Sequence, residues 1–172
     1  MLRWTTALDA KWKKLQEYQQ KGIVAAKDAY VVAISGCQLS LFPESRGITQ
    51  MPFGVETVLP VGPLAYRVNR ETAKIEKPFI SERFHVTNAN KSQVPTTPFV
   101  DPAYGGVSAL IGCASDRCHG KPLALHVVHN PRAAVPLPLG SLGGRDDEWF
   151  ASPVTGKTDE FDLQRVPPPA AA

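Results

Sequence analysis

Two thiols and an imidazole stand close together in this chain, and thiolate with imidazole is the ligand chemistry that zinc prefers. Cys113, Cys118 and His119 form that candidate metal set, with His126 and His129 further along. Against it, the Cys-x4-Cys-His spacing fits no common zinc module and no second pair completes it. Cys113 also falls in an apolar run, where a thiol packs as a small apolar residue. His126-Val127-Val128-His129 is half of a metalloprotease signature, but that signature needs a helix and an adjacent glutamate. On a strand, residues i and i+3 point to opposite faces, so the two imidazoles could not share a ligand. His126 is then expected near the core with its polar atoms satisfied. No cysteine stands beside a recognisable base or helix N-terminus, so a thiolate nucleophile has no support. There is no G-x-S-x-G, no P-loop and no dinucleotide fingerprint.

The second candidate chemistry is cationic. Lys11, Lys13 and Lys14 make a short basic patch that could contact phosphate. The plainer alternative is a solvated helix face whose lysine stems cover apolar surface.

The elements that must position these groups follow from periodicity. Over residues 3–20, Trp4, Leu8, Trp12 or Lys11, Leu15 and Tyr18 recur at helical spacing, with Lys13, Lys14, Glu17 and Gln20 opposite. Thr5 or Thr6 is placed to cap the helix, and Lys21-Gly22 to stop it. Residues 29–35, AYVVAIS, form a continuous apolar run and predict a strand buried on both faces. Residues 64–68 and 73–78 flank Asn69-Arg70-Glu71-Thr72 and predict a hairpin, after which 79–86 alternates as a strand. Residues 87–104 hold Pro95, Pro98 and Pro102 and are expected to be irregular. VSALIGC (107–113) and PLALHVV (122–128) predict two further core strands, the second ended by His129-Asn130-Pro131. The fold class expected is α+β: one principal N-terminal helix, a mixed or antiparallel sheet, and long Pro-rich loops. Residues 1–150 form the single domain in this reading, and 151–172 an irregular tail.

Bulk properties bound the function. A chain of 172 residues with 43% hydrophobic and 20% charged content can bury a core without disulfides or metals. Its net charge of +3 gives only a weak general field for nucleic acid. Three cysteines, an odd number without framework spacing, fit a reducing cytoplasm. No run approaches the ~20 apolar residues of a spanning helix, so no membrane partner is expected.

Laid end to end, these segments resemble a known family. A lysine-bearing helix runs into DAYVVAIS; FGVETVLPVGPLAYRVNRETAKI and VPTTPFVDPAYGGVSALIGCAS follow; LHVVHNPRAAVPLPLGSL and DEWF close the order. The pattern is similar to the C-terminal part of bacterial proteins related to the restriction-endonuclease-like PD-(D/E)xK fold. It spans residues 3–150, and its most specific pieces are FVDPAYGGVSALIG and HNPRAAVPLPLGSL.

The resemblance implies an Asp on one strand and an (Asp/Glu)-x-Lys on the next, together holding the magnesium that activates water. In the family those strands precede the helix that here occupies residues 3–20. The nearest literal match, Asp9-Ala10-Lys11, falls on that helix, and Glu76-Lys77 lacks the intervening residue. Lys11, Lys14 and Gln16 stand where the family places active-site support, but without the carboxylates that role is empty. No catalytic residue is carried over, and no cofactor is expected unless a missing segment supplies the Mg2+ ligands. The expectation is therefore a truncated or split nuclease-like protein, non-catalytic on its own and completed by another polypeptide. The alternative is a stand-alone module binding protein or nucleic acid. A split subunit should expose an apolar sheet edge at 29–35, whereas a stand-alone module should cover it within the chain.

Overall fold

A computed structural model describes residues 1–36, 49–113, 125–142, 147–154 and 160–167. Helix α1 (Leu2–Gln20) buries Trp4, Thr5, Leu8 and Leu15 along one stripe. It ends as the sequence predicts. Gly22 adopts φ +68°, Gly22 N–H donates to Gln19 and Ile23 N–H to Tyr18. Those two bonds are a Schellman termination, which needs a left-handed residue after the last turn. The start differs from expectation. The helix begins at Leu2, so the Thr5 and Thr6 hydroxyls donate back to the Leu2 carbonyl instead of capping.

Strand β1 (Val31–Ser35) follows, then the short helix α2 (Phe53–Val58). β2 (Val61–Ala65) and β3 (Phe79–Glu82) pair as an antiparallel arm, extended by a bridge between Val68 and Ile75. This is the predicted hairpin, with its paired stretches shifted outward from the turn. β4 (His85–Thr87), at the end of the expected strand, and β5 (Gln93–Pro95), inside the stretch expected to be irregular, form a second small hairpin. Its turn uses Asn88, whose Oδ1 accepts the Ala89 N–H, and Lys91 at φ +66°. A 3₁₀ turn, Pro102–Tyr104, is capped by the Asp101 side chain.

The main sheet is built from β1, β6 (Ala109–Cys113), β7 (Leu125–His129), β8 (Glu148–Pro153) and β9 (Phe161–Arg165), in that spatial order. β1–β6 and β7–β8 run parallel, while β6–β7 and β8–β9 run antiparallel. The molecule is thus α+β with a mixed sheet and one long N-terminal helix. Two corrections follow. The sheet does not stop at residue 150: β8 and β9 carry it to Arg165, with Phe161 and Leu163 packed against the core. β1 is not buried on both faces either. Val32 and Ile34 are buried, but Ala33 and Ser35 are exposed, because the layer containing α1 covers one side only.

The two most specific segments of the resemblance meet at one residue. Asn130 Nδ2 donates to the carbonyls of Tyr104 (3.0 Å) and Val107 (2.8 Å), and its Oδ1 accepts the Arg132 N–H. Ser108 Oγ donates to Val135 O, and Ala134 N–H to Gly105 O. One buried amide therefore satisfies backbone groups that a proline-interrupted connection would otherwise leave open.

Candidate functional site

The sheet edge at β1 is the feature that geometry makes available. Among the described residues β1 has one strand neighbour, β6. Trp4 and Leu8 of α1 pack with Val32 and Ile34 in the core, which fixes the strand's position from one side. At the strand's start, Tyr30 N–H donates to Ser108 Oγ, and the Tyr30 hydroxyl donates to the Lys11 carbonyl. No second strand pairs with β1 among the described residues, and a sheet edge of that kind is where a further strand can add.

The candidate lysines lie on the solvent side of α1, and two are engaged there. Lys13 bonds Asp9 at 2.7 Å and Lys14 bonds Glu17 at 2.9 Å. The Glu17 hydrogen bond pushes the Lys14 ammonium pKa up, while Lys21 and Lys14 hold the Glu17 carboxyl below its usual range. These are intrahelical pairs of the ordinary stabilising kind, which leaves Lys13 and Lys14 less available for phosphate.

Of the proposed metal set only Cys113 lies among the described residues. Cys113 is buried at the end of β6, in register with Leu125, while Cys118 and His119 lie outside the described residues. Among the described residues no three His, Cys, Asp or Glu side chains are placed to hold a metal ion. His126 and His129 part as strand alternation requires. His129 Nε2 meets Glu148 at 2.5 Å, and Glu148 also accepts the Gly140 N–H at 2.9 Å.

His126 is buried against α1 and α2. Its ring stacks on Trp4 with centroids 5.6 Å apart, and Nε2 accepts the Gly54 N–H at 3.0 Å. A methyl at Gly54 or Gly112 would overlap the imidazole, so both positions need the missing Cβ. The expectation of full satisfaction holds for one nitrogen only. Nδ1 has no hydrogen-bond partner among the described residues, and packing against Trp4 holds the ring.

Burial lowers the His126 pKa to about 4. The native ring stays neutral where the unfolded chain, with an ordinary value near 6.5, already takes up a proton. Its contribution is therefore intact above pH ~6.5 and falls as pH drops toward ~4, by about 3 kcal/mol in total. Urea midpoints measured from pH 7.5 to 4 should show a shallower acid slope in His126→Asn than in the parent. Equal slopes would assign the acid sensitivity elsewhere.

A cleft of about 330 Å3 between α1 and the β5 region is lined by Thr5, Thr6, Asp9, Pro95, Asp101 and Tyr104. Its carboxylates are occupied: Asp9 by Lys13 and the Tyr104 hydroxyl, Asp101 by the Ala103 N–H. Burial, then Asp9, raise the Tyr104 pKa to about 12, which removes it as a base near neutrality.

Two buried acids escaped the sequence reading. Glu56 is fully buried and accepts from Thr49 N–H at 2.9 Å, from the Thr49 hydroxyl, and from Arg83 at 3.3 Å. Glu148 is the other. A charge embedded in the apolar run FGVETV was the available signal for Glu56. Among the described residues no helix is long and apolar enough to cross a membrane. Comparison with protein-family models, with curated proteins and with solved structures finds no match.

Proposed function

We propose that this chain is a non-catalytic, strand-accepting module of a restriction-endonuclease-like protein, whose sheet is completed at the β1 edge by a strand from another polypeptide. The observation that carries this reading is the position of β1. It is apolar, anchored by α1 on one side, and has β6 as its single strand neighbour among the described residues. That is the edge a split subunit should present, and a stand-alone module should cover. On this reading the magnesium ligands arrive with the completing strand, and the module has no cofactor of its own. It works in the cytoplasm, beside the nucleic acid that the completed protein would cut. Binding of nucleic acid through Lys11, Lys13 and Lys14 is the weaker reading, because Asp9 and Glu17 compete for two of the three.

Native-state hydrogen exchange tests the edge. In the isolated chain, β1 amides that bond toward β6 should be protected, and those pointing away should exchange orders of magnitude faster. Protection of both sets would show the edge covered within the chain and favour the stand-alone alternative. Incubation of the purified chain with plasmid DNA and magnesium should leave the DNA intact. Metal-dependent cleavage abolished by changing one acidic residue here would overturn the non-catalytic assignment.

A further inference from the structure

The arm formed by β2 and β3 has an apolar side that nothing among the described residues covers. Leu64 pairs with Ile80, and Val68 bridges Ile75. Facing residues of an antiparallel pair share a side, and Tyr66 lies between the two pairs along the same stretch of chain. These five side chains are 48–70% exposed. A two-stranded ribbon is marginal in water unless one face is packed, and contiguous exposed apolar surface of this kind marks an interface.

Charge identifies the occupant. From Tyr66 to Pro78 the arm carries Arg67, Arg70, Lys74 and Lys77 against Glu71 and Glu76, a formal charge of +2. At its root, between the arm and the β8–β9 pair, lies a groove of about 250 Å3. Val61, Ile80, Phe161 and Leu163 wall it, the exposed Glu82 gives it negative charge, and among the described residues no lysine or arginine lines it. The arm is apolar and cationic; the groove is apolar and anionic. Ile80 belongs to both, so the arm springs from the wall of its own groove and cannot fold its tip back into it while β2 and β3 stay paired.

We propose that the arm of one copy seats in the groove of a second copy, and reciprocally, to give a two-fold dimer. In such a contact each surface is used twice, so a complementary pair on one chain suffices for closure. A nucleic-acid partner fits less well, because Glu71 and Glu76 interrupt the cations and the arm's other asset is apolar. The dimer contact is separate from the β1 edge, so either proposal can fail alone.

Sedimentation equilibrium of the full chain tests it. The parent should show a concentration-dependent monomer–dimer equilibrium. Arg70→Glu with Lys74→Glu on the arm should weaken the dimer at least tenfold, as should Glu82→Lys in the groove. All these positions are exposed, so far-UV circular dichroism should not change. Mixing the arm-reversed and groove-reversed chains should restore association between them, because opposite charges then face each other at both contacts, one of them the native pair and the other its reversal. A chain that stays monomeric at every concentration overturns the proposal. So does a dimer indifferent to both reversals, or a monomeric arm that captures an oligonucleotide instead.

Discussion

Trp4→Ala is expected to lower stability by about 3–5 kcal/mol, the range for truncating a large aromatic in a packed core. Trp4 is 2% exposed and touches three separate parts of the core. It stacks on His126 of β7, tilts against Phe53 of α2 at 6.4 Å, and fills the space over Gly36 and Gly112 that a side chain there would occupy. Truncation removes the transfer energy of an indole and leaves a cavity bounded by a ring whose Nδ1 already lacks a partner among the described residues. A domain of ordinary stability has about 5–15 kcal/mol in total, so the variant should sit close to its unfolding threshold. The measurement is the urea midpoint at constant m-value. Trp4→Phe, which keeps an aromatic face over His126, should recover a substantial part of the loss. A loss below about 1 kcal/mol would mean that α1 is not anchored through this residue.

Glu56→Ala is expected to cost a similar amount, about 3–5 kcal/mol, for a different reason. The carboxylate is fully buried, and Arg83, whose side chain is 16% exposed, is its ion-pair partner. Removing the acid strands the guanidinium, whose Nε has no acceptor among the described residues, and leaves the Thr49 N–H without its partner. Because Arg83 stands between β3 and β4, the damage should spread to the arm and the small hairpin. The discriminating measurement is a double-mutant cycle. Arg83→Leu in the Glu56→Ala background should recover stability, because the cost lies in the uncompensated charge. If the double variant is as unstable as the sum of the two singles, the pair is not coupled and the cost comes from packing alone.

How far the fold was legible depended on whether the signal was local. α1 was legible because Trp4, Leu8 and Leu15 keep the 3.6-residue stripe and Gly22 supplies its stop. β6 and β7 were legible as unbroken apolar runs, since strands covered on both faces need no alternation. The same pattern misled at β1. Ala33 and Ser35 are small enough to sit in water at an edge, and an apolar run cannot distinguish edge from centre. β9 was hidden because Phe161 and Leu163 alternate with Asp162 and Gln164 next to a proline-rich end, so composition outweighed period. The β4–β5 hairpin turns through Asn88 and a left-handed Lys91 instead of a glycine. The candidate site was legible only as a segment. That 29–35 is a strand could be read; that its second side lacks a strand among the described residues is a property of topology. The ion-pair partners of Glu56 and His129 lie 27 and 19 residues away, a separation at which no local pattern reports pairing.

The order of the sheet also sets a clock for synthesis. Tyr30 N–H donates to Ser108, 78 residues downstream, and the β1–β6 ladder starts at the next residue of each. A ribosome adds about 5–20 residues per second, so β1 is on the nascent chain for roughly 4–16 s before its first partner strand has been made. α1 can form alone within about a microsecond, but an apolar strand cannot be completed early by any local contact. Translation speed, and not the folding rate, therefore fixes how long β1 is open to wrong pairing on the ribosome. Among the described strands β1 is the one that waits longest for its first neighbour while the protein is being made.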